Sequence, residues 1–352
     1  MEYQVPEYVG RTPEICGIDY FILHYACWTN RYSKRLRKAG IFEESEEIEL
    51  PDQDIADNNA PLTIPYGANY HIQIFNPSAS FSDAVDFISC VAYSEEKFRA
   101  GEVIENPINF KGSEEIVSFM GLATSDTALV KACGYKTDNE QVIDKMVKAI
   151  NRISKMSIQY RVKPDPKFNN DKDLVGCRQT KKGKILESRT IRFINTYVRS
   201  KIGGKGNKNL LVLDSDFIKR CHSINHIVQY KKLHKLRNNE TALGIYLYWL
   251  GNQPEEGECS RFFPIQWFEK YFQIILPKKP TSKKPIDIEL YEVQMKFYKE
   301  VQTDFRDNMR QALNKLKELG YISGWKSNGK KDRRAKTEYV DLKKSTGLMI
   351  WK

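Results

Sequence analysis

Basic side chains at helical spacing are the residues of this chain best suited to binding chemistry. Along residues 142–156 they recur every three or four positions and form one stripe, made of Lys145, Lys148, Arg152 and Lys155. Arg306 and Arg310 lie one turn apart near the start of a second candidate helix. A guanidinium that forks onto guanine O6 and N7 contributes about 1–3 kcal/mol of base discrimination. We therefore predict base contacts for these two arginines and nucleic-acid contacts for the stripe.

Further candidate ligands fall in the segments that follow the two helices. The first loop, within residues 169–184, contributes Lys181, Lys182 and Lys184. The second helix and the hairpin after it contribute Asn314, Lys317, Lys326, Lys330, Lys331, Arg333, Arg334 and Lys336. Cations grouped at a hairpin tip suit phosphate oxygens better than base edges. The alternative interpretation is a lysine-rich surface that only keeps the chain in solution.

Patterns for catalysis and for metal binding are weak. His222 and His226 stand at i and i+4, but no acidic residue or third histidine completes a metal site. The His-x-His pair of rolling-circle initiators is absent, and the glycines of residues 203–206 lack phosphate-loop spacing. The seven cysteines form no C-x-x-C pair. We therefore predict that the protein is not an enzyme and that it holds no cofactor and no metal.

An internal repeat places the two basic helices in equivalent structural units. Residues 142–156 align without a gap to residues 305–319, and aspartate, methionine, alanine and asparagine coincide in the alignment. Such a repeat indicates one structural unit that occurs twice. Apolar residues also recur at helical spacing in both copies, which predicts a buried face on each helix.

The segments around each repeat helix predict the rest of the unit. The elements expected in the first copy are a strand at 69–75, helices at 82–100, 113–120 and from 138, and strands at 157–162 and 188–198. Those expected in the second copy are a core helix at 241–250, helices at 264–272 and 289–300, a repeat helix capped by Thr303 or Asp304 and ended by Gly320, and strands at 321–325 and 337–342. Helix, helix, helix, strand, basic loop and strand is the order of a winged helix.

Composition and charge are those of a globular chain that binds a polyanion. The net charge is +11, and residues 223–352 carry 25 Lys and Arg against 15 Asp and Glu. Because the chain has no apolar run of about 18 residues and no signal-peptide pattern at its start, we expect a cytoplasmic protein without membrane contact.

We predict an α+β fold with two tandem winged-helix domains preceded by an N-terminal extension. The extension is assigned to residues 1–65, and it contains a run of acidic residues at 43–57. The first domain is assigned to residues 66–222 and the second to residues 223–352.

The order of these elements, the repeat and three local texts resemble one family. The texts are NEQVIDKMVKAINRISKMSIQYRV, NETALGIYLYWL and FRDNMRQALNKLKELGYISGW. They are similar to the two-winged-helix initiators of theta-type plasmid replication, of the RepE, RepA and TrfA kind, over roughly residues 66–348. The resemblance implies binding of directly repeated origin sequences, called iterons, and opening of nearby A+T-rich DNA. It also implies recruitment of the host initiator and the replicative helicase, and a monomer–dimer equilibrium.

We therefore expect a replication initiator that binds double-stranded DNA in a sequence-specific manner. A winged-helix transcriptional repressor would use the same surface, but it would bind a palindrome as a dimer. A DNA recombinase would leave a covalent protein–DNA adduct, and the 19 tyrosines keep that alternative open. A protein-binding scaffold would show no salt-dependent affinity for DNA.

Overall fold

The chain forms two compact units. The computed structural model describes residues 15–17, 23, 28–41, 62–66, 70–75, 79–99, 104–109, 116–162, 190–201, 207–214, 227–254, 257–281, 284–328, 342 and 345–352. The first unit comprises Met1–Tyr20 and Glu44–His234, and the second comprises Phe21–Glu43 and Lys235–Lys352. Both mix helices with antiparallel sheets, which confirms the predicted α+β class.

Helices and strands are interspersed along the described residues. In chain order they are β1 (Ile15–Gly17), α1 (Arg31–Lys38), β2 (Leu62–Tyr66), β3 (Tyr70–Phe75), α2 (Phe81–Arg99), β4 (Ile104–Asn109), β5 (Ile116–Ser125), α3 (Asp126–Ala132), α4 (Glu140–Ser154), β6 (Ser157–Val162), β7 (Thr190–Arg192), β8 (Ile194–Lys201), β9 (Asn207–Leu213), β10 (Ile227–Gln229), α5 (Tyr230–Leu236), α6 (Glu240–Leu250), β11 (Ser260–Pro264), α7 (Ile265–Tyr271), α8 (Pro285–Glu318), β12 (Gly324–Ser327) and β13 (Gly347–Trp351). None of the helices in these residues is long and apolar enough to cross a membrane.

The first unit packs three helices around one apolar core. Phe87 and Ile88 of α2, Leu129 of α3, and Ile150 and Ile153 of α4 are at most 1% exposed. Two four-stranded antiparallel sheets, in the orders β2-β3-β6-β7 and β4-β5-β9-β8, complete the unit together with the pair β1-β10. The buried face of α4 is the face that the apolar spacing predicts.

A tight turn joins α3 to α4, and both helices have side-chain caps. The Ser125 hydroxyl accepts the N–H of Ala128, and the Asn139 amide oxygen accepts the N–H of Val142. Gly134, in the turn between them, has a φ of +75°. A Cβ at this position would lie 2.1 Å from Nδ1 of His234, so both the backbone conformation and the close approach require glycine.

The second unit surrounds an apolar helix with aromatic residues. All ten residues from Thr241 to Leu250 of α6 are buried. The ring of Tyr32 from α1 contacts the ring of Phe305 from α8 edge-on at 5.2 Å, and Phe272 lies 4.8 Å from Phe305. The sheet has the antiparallel order β11-β13-β12.

The two units share an order of elements and an order of strands. A strand, two helices and two more strands follow one another as β5, α3, α4, β8, β9 in the first unit and as β11, α7, α8, β12, β13 in the second. In each sheet the last of these strands lies between the other two, as β5-β9-β8 and as β11-β13-β12. In the first unit, β6 and β7 are additional and pair in the other sheet.

One predicted helix is wrong: residues 116–125 form the strand β5, where a helix at 113–120 was expected. Ser113 and Gly121 suggested a cap and a stop, but β-branched and aromatic residues favour an extended chain when strands flank it on both sides. β5 pairs with β4 along one edge and with β9 along the other. The short helix of this unit is α3, which starts one residue after β5.

The predicted helix start at Thr303 or Asp304 is also wrong, because α8 runs without a break from Pro285 to Glu318. Its 34 residues span roughly 51 Å at 1.5 Å per residue. A residue type that favours the start of a helix can also lie inside one, and neither glycine nor proline follows Thr303 or Asp304 to interrupt α8. The carboxylate of Asp304 instead forms an ion pair with Arg35 of α1.

The strands after α8 are displaced from their predicted positions. The first is β12, at residues 324–327. The return strand is β13, at residues 347–351, and Leu342 is not in a strand. Residues 337–341 lie outside the described part of the chain. The N-terminal residues 21–43, which the sequence assigned to an extension, contribute α1 to the second unit.

We expect Gly134→Ala to lower the free energy of unfolding more than Gly320→Ala does. Gly320 has a similar φ of +67°, but a Cβ there would meet no atom within 4 Å. Gly320→Ala should therefore lower the free energy of unfolding only by the cost of placing alanine in a left-handed backbone conformation, about 1–2 kcal/mol. Urea unfolding of both variants measures the difference. Equal losses would show that the His234 contact does not constrain the turn, whereas partial rescue of Gly134→Ala by His234→Ala would support it.

Candidate nucleic-acid interface

The outer side of α4 presents a polar and basic surface, which we call the α4 face. Its residues are exposed and comprise Gln141, Lys145, Lys148, Asn151 and Lys155, with the carboxylate of Asp144, also exposed, on the same side. The buried side of the same helix holds it against α2 and α3 through Met146, Ala149 and Ile150. Because the apolar side is fixed in the core, the lysines and amides point away from it. Three predicted site residues, Lys145, Lys148 and Lys155, thus lie together on one exposed surface.

Arg152 is the member of the predicted stripe that pairs with a buried acid, and its side chain is 37% exposed. Its Nε and Nη2 donate to the two carboxylate oxygens of Asp83 on α2, at 2.8 and 2.7 Å. Asp83 is 4% exposed at its side chain, and this hydrogen-bonded pair raises the pKa of Arg152 above its ordinary value. The pair ties the C-terminal half of α4 to the start of α2. A phosphate contact through Nε or Nη2 would require the guanidinium to leave this bidentate partner, so the proposed interface does not include Arg152.

The outer side of the C-terminal half of α8 forms a second surface, the α8 face. It comprises Gln311, Asn314 and Lys317, all exposed, beside the exposed ion pair of Lys315 and Glu318. The Asn314 amide oxygen accepts a hydrogen bond from Nε1 of Trp325 on β12 at 3.0 Å. This contact fixes the orientation of the Asn314 amide and joins the α8 face to the first strand after the helix. Lys326 on the same strand is also exposed, but successive residues of a strand project to opposite faces of the sheet, so its side chain lies on the other face from Trp325.

Arg306 lies inside the second unit. Its Nε donates to Oε1 of Glu269 on α7 at 2.7 Å, and its Nη1 donates to the carbonyls of Leu342 and Ser345 at 3.3 and 3.4 Å. The side chains of Arg306 and Glu269 are 14% and 6% exposed. One guanidinium therefore joins α7, α8 and the segment that enters β13. Base reading by Arg306 would break this network, so the proposed interface does not include it.

The remaining predicted site residues divide into two groups. Arg310 is half-buried on α8. The others lie outside the described residues, and their roles stay predictions: Lys181, Lys182, Lys184, Lys330, Lys331, Arg333, Arg334 and Lys336. The base of the second hairpin is described, however. There the Asn328 amide oxygen accepts the N–H groups of Thr346 and Gly347 at 3.0 and 2.9 Å.

The sequence repeat has the same register in the structure. In the alignment, Met146 and Ile150 match Met309 and Leu313, and all four side chains are buried. Two exposed positions also coincide: Lys148 matches Gln311, and Asn151 matches Asn314. The two helices are therefore equivalent, and their faces share these two aligned positions, whereas Lys155 of the α4 face aligns with Glu318. Gln141, Asn151 and Gln311 were not among the predicted site residues, because the prediction followed charge and, apart from Asn314, included no amide.

A polar cleft adjoins the α8 face. Its volume is about 320 Å³, and its lining residues are Arg31, Asn238, Asn239, Glu240, Thr241, Asn308 and Gln311. The Glu240 carboxylate accepts the backbone N–H of Arg31 at 3.1 Å, and burial raises the pKa of Glu240 above its ordinary value. Arg31 was not predicted as a lining residue of this cleft, because it lies 209 residues before Glu240 in the chain and no local pattern signals such a contact.

The described residues contain no group of three or more His, Cys, Asp and Glu side chains that could hold a metal ion. His222 and His226 lie outside them. His234 is placed, and its Nε2 is 2.8 Å from the hydroxyl of Ser89, where it forms a hydrogen bond within the first unit.

Comparisons with known proteins identify no family. No family model matches the chain, and no curated protein matches it. Among solved structures, a selenomethionine crystal structure of domains 2 and 3 of RctB covers 83% of this chain and 90% of its own, at 10% identity and a TM-score of 0.44. A second structure of RctB domains 2–3 covers 83% of this chain and 91% of its own, at 10% identity and a TM-score of 0.43. Because both TM-scores lie below 0.5, the functional proposal rests on the chain's own residues.

We expect Arg306→Ala to destabilise the second unit strongly. Loss of the guanidinium would leave the Glu269 carboxylate buried without its main donor, which costs about 3–5 kcal/mol. The matched control is Lys315→Ala, which removes an exposed ion pair with Glu318 on the same helix and should cost less than about 0.5 kcal/mol. Urea unfolding followed by tryptophan fluorescence measures both. If Arg306→Ala lowers the free energy of unfolding as little as Lys315→Ala does, the Arg306 guanidinium does not hold α7, α8 and the segment before β13 together.

Proposed function

We propose that this chain is a non-enzymatic, sequence-specific double-stranded-DNA-binding protein that acts as a replication initiator. In this proposal both units are winged helices, α4 and the C-terminal half of α8 are the DNA-reading helices, and the ligand is a set of directly repeated origin sequences. The observation that carries the proposal is the coincidence of a repeated topology with a repeated polar helix face.

The topology supports winged helices in both units. In each, a strand precedes the first of two consecutive helices. In the second unit α8 leads directly into the hairpin β12–β13, whereas in the first unit β6 and β7 of the other sheet lie between α4 and the hairpin β8–β9. The second helix of a helix-turn-helix pair is the element that enters the major groove. In the first unit the strands assigned to the wing are β8 and β9, which pair antiparallel from Ile194 to Lys201 and from Asn207 to Leu213.

The chemistry of the faces supports duplex DNA as the ligand. Glutamine and asparagine pair in bidentate fashion with adenine N6 and N7, and lysine donates to guanine or to phosphate. The α4 face offers three lysines and two amides, whereas the α8 face offers two amides and a lysine. We infer that the α4 face supplies most of the phosphate contacts and that the α8 face supplies more of the base readout.

Two reading helices in one chain favour a long, asymmetric site for one copy of the protein. Such a site is typical of direct repeats, whereas a repressor dimer binds a palindrome. Opening of A+T-rich DNA and recruitment of the host initiator and replicative helicase belong to the same proposal. They follow from the family resemblance of the sequence and are tested separately, by strand-opening and co-purification assays.

The proposal predicts a specific and salt-dependent DNA complex. Selection of duplexes from a random library at about 150 mM salt, followed by footprinting, should return an asymmetric site about two helical turns long. A short palindrome would favour the transcriptional repressor, and a covalent adduct would favour a recombinase. Failure to enrich any sequence would overturn specific binding.

Substitutions on the two faces should act differently. Alanine at Lys145, Lys148 and Lys155 together should weaken all sequences alike and lower the salt slope by about 1 for each phosphate that is no longer neutralised. Gln311→Ala should instead relax the preference at one base pair, by about 1–3 kcal/mol.

The control for the triple lysine variant removes the same charge elsewhere. Lys38, Lys279 and Lys299 are exposed and lie off both faces. Alanine at all three should leave the salt slope nearly unchanged. If the control variant loses as much affinity as the α4-face variant, binding depends on net charge and not on the α4 face.

A further inference from the structure

One hydrogen bond on the α8 face joins an amide to a group that can only donate. Nε1 of the Trp325 indole donates to Oδ1 of Asn314 at 3.0 Å. An indole nitrogen carries a hydrogen and has no lone pair with which to accept. The amide oxygen of Asn314, and not the amide nitrogen, therefore has to face the indole. This contact decides which way round the amide group stands on the α8 face.

Both partners of this bond are held in place by buried neighbours. Leu313 and Leu316 lie on either side of Asn314 in α8 and are both 0% exposed, so the helix cannot rotate about its axis without exposing them. Trp325 lies in β12 opposite Ile350 of β13, which is buried as well. A slip of β12 by one residue would move the indole to the other face of the sheet. The orientation of the amide is thus set by the fold of the second unit.

The Asn314 amide keeps the groups that a base needs. Its oxygen has a second lone pair, and its nitrogen donates to no other group within the described residues. A donor and an acceptor side by side are the pattern that pairs with N7 and N6 of adenine in the major groove. The amide nitrogen has to meet N7 and the amide oxygen has to meet N6. The order in which the amide presents its two atoms therefore decides which way round an adenine is read.

An amide that can turn over matches two base pairs. One orientation matches the adenine of an A·T pair, and the reverse order of the same two atoms matches the adenine of a T·A pair. Gln311, one turn earlier on α8, makes no hydrogen bond through its amide within the described residues, so both orientations are open to it. Asn314 reaches its second orientation only by breaking the bond with Trp325, which leaves an indole N–H without its partner beside the DNA.

From this constraint we infer that Trp325 is a positioning residue that restricts Asn314 to adenine on one strand of the DNA site. The inference rests on the proposed function, since it concerns the base that the α8 face reads. In this role the indole contacts no base and acts only through the orientation of the amide. The net contribution of one hydrogen bond between neutral groups corresponds to a preference of roughly two- to tenfold for A·T over T·A at this base pair.

The test compares the base preferences of the wild-type chain with those of Trp325→Phe. Phenylalanine keeps an aromatic ring at this position and removes the N–H group. Duplexes selected by the wild-type chain are varied one base pair at a time, and Asn314→Ala identifies the base pair that Asn314 reads, because its preference is lost there. At that base pair the wild-type chain should prefer adenine on one strand. Trp325→Phe should accept adenine on either strand, with the A·T to T·A affinity ratio reduced roughly two- to tenfold and the affinity for the best sequence nearly unchanged.

A matched control removes a different indole N–H group. Trp267 of α7 is 46% exposed, and Trp267→Phe should leave every base preference unchanged. In Trp325→Phe itself, the base pair that Gln311 reads should keep its preference, because the amide of Gln311 makes no bond with this indole. Trp325→Leu causes a different packing change but also lacks the N–H group, so it should broaden the same base pair. Urea unfolding confirms that both Trp325 variants fold.

Three results would overturn the inference while the proposed function stands. The first is a single-strand adenine preference that persists in both Trp325 variants. The second is an equal loss of affinity for all sequences, which would mean that the indole only holds β12 against α8. The third is an Asn314→Ala variant that changes no base preference, although the wild-type chain still selects an asymmetric site. If the wild-type chain enriches no sequence at all, the proposed function fails and this inference fails with it.

Discussion

A buried carboxylate on the first helix of each helix pair ties that helix to the rest of its unit. In the first unit, Asp126 of α3 accepts hydrogen bonds from Arg199 of β8 and Asn209 of β9, both at 2.7 Å. In the second, Glu269 of α7 accepts from Arg306 of α8. A carboxylate in such a site is stable only while its donors stay in place. The angle between helices and hairpin, and hence the position of any wing, depends on these contacts.

The same contacts explain which part of the site could be predicted from the sequence. Residue type and spacing correctly separated the buried side of each repeat helix from its polar side, because apolar burial is a local, periodic property. They did not distinguish an arginine that faces solvent from one that faces a buried acid. Arg152 and Arg306 meet Asp83 and Glu269, and those partners lie 69 and 37 residues away.

The errors in the fold have a similar origin. The sequence from Ser113 to Ser125 contains both a plausible helix cap and a β-branched pattern, and only the strands on either side of residues 116–125 decide between helix and strand. Asp304 is a good capping residue in isolation, yet it lies within a helix that the core on both sides keeps continuous. The membership of α1 in the second unit had no local signal, since its partners Phe272 and Phe305 lie far along the chain.

The position of α1 sets the order in which the chain can fold during synthesis. Asn30, which caps α1, donates to the carbonyl of Phe272, 242 residues later. At about 5–20 residues per second, the ribosome needs roughly 12–48 s to add those residues. During that time the second unit cannot bury the side chains that α1 and its cap contribute to its core, which are Trp28, Tyr32 and Leu36. All residues of the first unit, Met1–Tyr20 and Glu44–His234, have been synthesised once His234 emerges from the ribosome. The first unit can therefore fold before the second unit can.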